Sequence, residues 1–414
     1  MARPRLLLLL PTTTYRAAAF VEAARRLDLD LTVASDHVSV FATAQPTGLM
    51  ALDFAHPERA AGEVRGFAAT HPVDAVFGVD DDTAVVAAVI AEALGLRHNP
   101  VPATVAARDK HRQRVLLTHA GLPVPAFALH AVTADAAQVA REARYPCVLK
   151  PLRLAASRGV IRANDPAEFV TAFQRIVRIL EEPEAAACGE PARQILVEEF
   201  VPGGEVALEG LLAEGRLRLL ALFDKPDPLD GPFFEETIYV TPSRLPDASQ
   251  RAIAECAERA ALALGLTSGP IHAELRINER GPWVIEVAAR PIGGRCGAVL
   301  RFGEGEGASS LEELLLRHSL GLPIASFERE RAASGVMMIP SPRAGVLTEV
   351  RGVDEARAVP GVDDVVITAH RGQRLVPLPE GSRYPGFIFA RGDTPEAVTR
   401  ALRAAHASLE FVVA

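Results

Sequence analysis

Two glutamates, Glu274 and Glu286, stand in the segment IHAELRINERGPWVIEVAARPIGG, residues 271–294. Apolar and polar residues alternate on both sides of NERGP, the pattern of two half-buried strands joined by a turn. One face carries His272, Glu274, Arg276 and Asn278 and returns as Glu286, Ala288 and Arg290; the other carries Leu275, Ile277, Trp283, Ile285 and Val287. A turn centred on Arg280 makes Glu274 and Glu286 direct cross-strand partners, with Cβ atoms roughly 5 Å apart, and like charges so placed repel. A cation must offset them. Arg276 and Arg290 on the same face are one source. A divalent metal is the other, since hard Mg²⁺ takes one or two carboxylates together with substrate phosphates.

The basic residues narrow the chemistry. Of 44 Lys+Arg, only Lys110, Lys150 and Lys225 are lysine. A compact ammonium and a planar guanidinium are not interchangeable at a close phosphate contact, so three retained lysines mark positions where head-group shape counts. None lies in a G-K-[ST] context and no HExxH is present, which excludes a P-loop and a zincin helix. The cysteines at 147, 188, 256 and 296 form no CxxC pair, so neither a zinc ribbon nor a disulfide framework is indicated. A net charge of −8 argues against a nucleic-acid partner. The start, MARPRLLLLLPTTTY, imitates a signal peptide, but its apolar run ends at Pro11 and reads as a buried first strand. No run reaches the roughly 20 apolar residues of a membrane span. A cytoplasmic protein without a membrane partner is expected.

Elements that must position these residues can be read in order. Residues 1–103 alternate strands and helices, the mark of βαβ units on a parallel sheet, whose strand ends carry the loops PTTTYR, SDH and VDDDT. Thr12–Thr14 are expected to cap the following helix. TVAARDKHRQRVLLTHAG reads as one helix from a Thr104 cap to Gly121, with Lys110 inside it. YPCVLKP is a strand ending near Lys150, and LRLAASRGV is a small-residue loop. QILVEEFVPGGEVALEGLL holds two strands about a Pro-Gly-Gly turn, and FDKPDPLDGPFFEETIYVTP is a long loop carrying Lys225. Residues 331–414 contain the strands GVMMIP, DVVITAH and GFIFARG and a last helix with Thr394 as cap and Pro395 at its first position, a small α+β unit.

Four pieces, ARDKHRQR, YPCVLKPLRLAASRGV, LVEEFVPGGEVALEG and GPIHAELRINERGPWVIEVAARPIGG, occur in the order that resembles the ATP-grasp superfamily of carboxylate–amine ligases. EVAARPIGG is similar to the bacterial L-amino acid ligase branch, the dipeptide synthetases. The resemblance implies an α/β and α+β chain: a Rossmann-like domain over 1–103, an ATP-grasp domain over 104–330 with a lid at about 130–200, and an α+β C-terminal domain over 331–414. It implies that Lys110 and Lys150 hold the ATP phosphates, under a loop of Ser157, Arg158 and Gly159. Glu198, Glu199, Phe200 and Val201 would bind adenine through backbone groups, and Glu205 the ribose. Glu274 and Glu286 would bind Mg²⁺, with Mn²⁺ an alternative, and Arg290 would stabilise an acyl-phosphate.

Lys225 is expected to touch the γ-phosphate or the acceptor carboxylate, with Glu236 lining the same pocket. His272, Gly293 and Gly294 are expected on the substrate. Two departures stand out: the phosphate loop has Gly159 as its single glycine, and Ala288 occupies the position where many relatives carry a metal-binding Asn. The implied activity joins a carboxylate to an amine through an acyl-phosphate, both substrates being amino acids or similar metabolites and the protein a homodimer. A biotin-carboxylase-like carboxylation and a non-catalytic nucleotide sensor are the alternatives.

Overall fold

The computed structural model describes residues 3–12, 14–37 and 47–414. The chain opens with β1 (Arg5–Leu9), α1 (Ala17–Arg26), β2 (Asp30–Ser35), β3 (Leu49–Ala51), α2 (Pro57–Ala68), β4 (Ala75–Gly78) and α3 (Asp81–Leu94). The strands are parallel in the order β3-β2-β1-β4. The leucine run is buried on both faces, as a central parallel strand requires. Leu6 and Leu8 pack with Phe20 and Phe77, while Leu7 and Leu9 pack with Ala60, Val64, Val86 and Ile90. Each such side chain contributes about 1.5–3 kcal/mol.

Helix starts correct two expectations. Neither Thr12 nor Thr14 caps α1; its first flanking residue is Arg16, whose N–H donates to Thr14 Oγ1 at 3.3 Å. Thr12 is instead tied by its N–H to Asp36 Oδ1 at 2.9 Å, and Thr13 lies outside the described residues. The single helix expected from Thr104 is two, α4 (Val101–Ala107) and α5 (Lys110–His119). Asp109 breaks it, because its carboxylate accepts from Arg112 N–H at 3.0 Å and starts a new helix there. Lys110 therefore sits at a helix start rather than inside one, and Thr104 is a buried interior residue.

A four-stranded sheet follows, ordered β5 (Phe127–Ala131), β8 (Gln194–Glu199), β6 (Cys147–Pro151), β7 (Ile161–Ala163), and backed by the helix Pro166–Glu181. Phe169, Phe173 and Ile176 of that helix pack on Cys147, Leu149 and Val197. β9 (Gly204–Ala213) leaves this sheet for another, so the two strands about the Pro-Gly-Gly turn do not pair with each other.

That second sheet has eight strands. β13 (Gly281–Ala288), β12 (Gly269–Asn278), β9, β10 (Arg216–Asp224) and β11 (Ile238–Thr241) continue into Ala333–Ile339, Gly386–Gly392 and Val362–Ile367. The sheet is thus continuous across residue 330. The final helix, Pro395–Ser408, covers it, with Thr394 Oγ1 accepting from Ala397 N–H at 3.2 Å. Among the described residues no helix is long and apolar enough to cross a membrane.

The β12–β13 hairpin pairs Glu274 with Glu286, but by a route the alternation missed. Near the turn the register is Asn278↔Gly281 and Leu275↔Val284; it then shifts by one to Glu274↔Glu286. Ile285 is the extra residue of this β-bulge. A bulge sends two neighbouring side chains to one side, so Ile285 joins Glu286 on the cavity wall while Val284 and Val287 are buried in the core below. Without the bulge Glu274 would face Ile285.

Candidate active site

One cavity of about 780 Å³ lies between the two sheets, the N-terminal domain and the C-terminal segment. Its middle is ionic. Glu274 and Glu286 face it from the hairpin, Lys110 from the start of α5 and Lys150 from β6. Neither hairpin arginine balances the glutamates, since Arg276 Nε donates to Glu205 Oε2 at 3.0 Å and Arg290 Nε to Asp81 Oδ2 at 2.9 Å. Lysines do so instead. Lys110 Nζ is 3.1 Å from Glu286 Oε1 and also donates to Leu154 O at 3.0 Å.

Lys225 departs furthest from its expected place. Its ammonium lies behind the carboxylate layer rather than on the cavity wall, 2.7 Å from Glu205 Oε1, 2.8 Å from Glu236 Oε1 and 3.0 Å from Glu274 Oε1. Among the described residues these three glutamates form a group whose oxygens lie within 4.8 Å of one another. Such a cluster repels itself unless a cation is buried with it, and Lys225 is that cation. Burial opposes the ammonium, yet the three carboxylates outweigh it and hold the lysine well above its usual range. Burial pushes the Glu236 carboxyl up to about 7, with Lys225 opposing. Burial acts on Glu274 too, but Lys225 and then His272 overcome it and keep that carboxyl well below the usual range. Glu236 lines the cavity as expected, and Tyr239 Oη donates to its Oε1 at 2.6 Å.

Lys150 is held from beneath. Glu198, buried in β8, lies 2.7 Å from Lys150 Nζ and 2.6 Å from Arg114 Nε. Burial lowers the Lys150 pKa despite this partner. The Glu198 carboxylate is therefore an anchor for cations. Glu198, Glu199, Phe200 and Val201 line one end of the cavity, with Val148, Pro125 and Leu229. Several backbone groups expected for adenine already have partners: Glu199 N–H donates to Ala126 O at 2.9 Å, Phe200 N–H to Pro146 O at 3.0 Å, and Arg276 donates to Val201 O at 2.8 Å. Glu205, expected on a ribose, is shared between Lys225 and Arg276.

The small-residue loop bends over the ionic centre. Ala156 and Ser157 take φ of 52° and 55°, the left-handed region that costs a residue with a Cβ, and Gly159 follows at 72°. The N–H groups that follow are engaged within the protein: Arg158 N–H donates to Ala155 O at 3.2 Å and Val160 N–H to Ser157 O at 3.0 Å. Ser157 faces the cavity. Arg158 does not: its guanidinium turns back to Glu182 and Glu184, the latter at 3.2 Å, which corrects its expected phosphate contact. Gly159 also leaves the wall, donating its N–H to Pro379 O at 2.8 Å. A Cβ there would stand 2.7 Å from Pro151 Cγ, so glycine is needed for close packing.

The remaining substrate-side expectations lie together on the wall: His272, Arg290, Gly293 and Gly294. His272 Nδ1 donates to Leu208 O at 3.2 Å, and its Nε2 is 3.6 Å from Glu274 Oε1. The loop after Arg290 is pinned from three sides. Arg290 Nη1 donates to Pro291 O at 3.0 Å, Arg16 Nη2 to the same oxygen at 3.0 Å, and Ile292 N–H donates to Glu209 Oε2 at 2.8 Å. Glu209 is fully buried, its Oε1 has no partner among the described residues, and burial drives its carboxyl pKa far up.

Comparisons with known proteins bear on the family to which this fold belongs. A family model described as an ATP-grasp domain matches residues 143–299, one described as an ATP-grasp N-terminal domain matches 21–98, and one described as L-amino acid ligase C-terminal domain 2 matches 337–414. The crystal structure of an L-amino acid ligase from Bacillus licheniformis superposes with a TM-score of 0.85 over 100% of both chains at 28% identity. The chain belongs to the ATP-grasp superfamily. Alanine–anticapsin ligase of Bacillus subtilis is 31% identical over 218 residues, 49% of this chain and 45% of that protein. Carnosine synthase 1 of Homo sapiens is 31% identical over 228 residues, 53% of this chain and 27% of that protein. The chain spans about half the length of the first curated relatives it matches, 44–52% of each.

This ATP-grasp chain also uses residues that the sequence left unmarked. Asp81, in the VDDDT loop, anchors Arg290; burial pushes its carboxyl up, but Arg290 more than offsets this and holds it below its usual range. A strand-end acidic run was the available signal. Thr368, His370, Gln373, Arg383, Tyr384 and Phe387 reach the cavity from the C-terminal segment, 80 to 99 residues past the end of the hairpin in sequence. No motif marks them, because the long-range sheet that carries them across is set by burial.

Proposed function

We propose that this protein is an ATP-dependent carboxylate–amine ligase that joins an amino acid, through an acyl-phosphate, to an amine, giving a dipeptide-like amide, ADP and phosphate. The observation that carries the reading is the cross-strand pair Glu274 and Glu286 facing Lys110 and Lys150 in one cavity large enough for a nucleotide and a second small molecule. The donor set fits a hard divalent cation. Each glutamate engages lysine through Oε1, while Oε2 of each accepts no hydrogen bond from a described residue. Glu274 and Glu286 would hold Mg²⁺, or Mn²⁺, which when bound neutralises charge on the transferring phosphoryl group.

The substrate carboxylate attacks the γ-phosphorus, an O–P bond forms and ADP departs. The amine then attacks the acyl carbon, loses a proton and expels phosphate. Lys110 and Lys150 neutralise phosphate oxygens, and the Ala156–Ser157 backbone closes over them. Arg290, fixed by Asp81, offers its guanidinium to the acyl-phosphate. Work of this kind is mainly positioning and charge stabilisation. The ligases among the relatives, including two whose names specify alanine, support amino-acid substrates.

Phosphate release across pairs of amino acids with ATP and Mg²⁺, followed by mass spectrometry of the product, tests the reading. Turnover that needs both a carboxylate and an amine is expected. ATP hydrolysis that ignores added amino acids, or that responds to bicarbonate alone, rejects it.

A further inference from the structure

Beyond the ionic centre the cavity is walled by side chains from both ends of the chain. The rings of Tyr15 and Phe387 are 5.9 Å apart and those of Tyr384 and Phe387 are 6.0 Å apart. Phe387 is the register partner of Met338, whose sulfur packs so close to Gly294 that a Cβ there would lie 2.4 Å from it. With Ile292 these residues make an apolar, mainly aromatic floor. Tyr15 keeps 43% of its surface exposed within this concave site, which a bulky apolar ligand would cover.

At the same end stands Arg383, the neighbour of Tyr384 in sequence and exposed on the cavity wall. The other lining guanidiniums are engaged: Arg290 by Asp81, Arg276 by Glu205 and Arg16 by the carbonyls of Pro291 and Ile292. Arg383 has no hydrogen-bond or ion-pair partner among the described residues. A free guanidinium fork suits a carboxylate. The donor's carboxylate must be at the phosphates, so a clamp beside an apolar floor serves the substrate whose carboxylate survives.

We propose that Arg383 and this floor form the acceptor subsite, taking a free amino acid with a bulky apolar side chain: the guanidinium pairs with its α-carboxylate and the aromatic floor receives the side chain. This rests on the ligase reading above. In the pair screen, fragmentation of the products is expected to show leucine-, methionine- or phenylalanine-like residues at the C-terminal position, and alanine or aspartate there poorly. Arg383→Ala is expected to raise KM about tenfold or more for the free acid and to leave KM for the corresponding amino-acid amide within twofold. Tyr15→Ala is expected to shrink the preference for leucine over alanine by about tenfold, the scale of one or two methylenes in an apolar pocket. Retained ATP binding, followed by nucleotide-induced thermal stabilisation, checks that each variant is folded. Equal losses on acid and amide, or a preference for small or charged acceptors, overturns the subsite while leaving the ligase intact. No phosphate release with any pair overturns the ligase reading and this with it.

Discussion

Lys225→Met removes one buried ammonium while keeping most of its stem volume. The wild-type Lys225 side chain is 3% exposed, and Glu205, Glu236 and Glu274 around it are 9%, 17% and 18% exposed. Deleting one partner of a buried charge network costs about 3–5 kcal/mol, because the others stay desolvated and unpaired. At about 2–4 °C per kcal/mol for a unit of 150–250 residues, the melting midpoint is expected to fall by about 6–20 °C. The loss has a pH signature. Glu236 already has its carboxyl raised to about 7, above its ordinary value of 4.5, by burial. A raised carboxyl contributes stability that is full below the unfolded value and lost as pH rises through the folded one. Without Lys225, Glu236 rises further and Glu274 loses the cation that holds it low. The deficit against wild type should therefore be greatest above about pH 7 and narrow towards pH 5. Calorimetric melts of both proteins at pH 5.5 and 8, without metal, measure it. A fall under 2 °C, or one identical at both pH values, would refute the role of Lys225 as counter-ion.

Three further outcomes are expected. Glu286→Gln should leave the circular-dichroism melt near wild type but take phosphate release below a tenth of its rate at saturating Mg²⁺; a higher rate removes Glu286 from metal binding. Glu198→Gln should leave Lys150 and Arg114 facing a neutral amide, at a cost of about 3–5 kcal/mol in urea unfolding, and a loss under 1 kcal/mol would show that Glu198 is not their anchor. Burial pulls His318 down to about 4, with Arg97 adding to it, and its Nε2 accepts from Gly269 N–H at 3.3 Å. A depressed histidine contributes stability present above the unfolded value of 6.5 and lost as pH falls through 4; His318→Gln should flatten acid destabilisation in that window, and an unchanged acid curve would contradict this.

The legible part of this fold lay in short-range pattern. RLLLLL, the alternation around NERGP and the Thr394-Pro395 start each encode burial or capping within a few residues, and each element formed where they indicated. The glutamate pair was legible as well, though a bulge at Ile285 rather than a plain two-residue repeat produced it. What sequence pattern could not supply was side-chain direction within a loop. Arg158 and Ser157 are neighbours, yet left-handed φ values send one to Glu182 and the other to the cavity. Nor could it rank partners for a buried lysine: Lys225 was singled out for being lysine, and its place among three carboxylates depends on Glu205, Glu236 and Glu274 meeting from three separate strands and loops. Asp109 shows the local limit, where a side-chain cap outweighs helix periodicity on both sides.

Acyl-phosphate formation is tested most directly by isotope transfer. A donor amino acid labelled with ¹⁸O in its carboxylate, turned over with ATP, Mg²⁺ and an amine acceptor, should deliver one labelled oxygen to each phosphate released, because the carboxylate oxygen that attacks phosphorus leaves with it. Phosphate free of label, formed together with the amide, would contradict the mechanism.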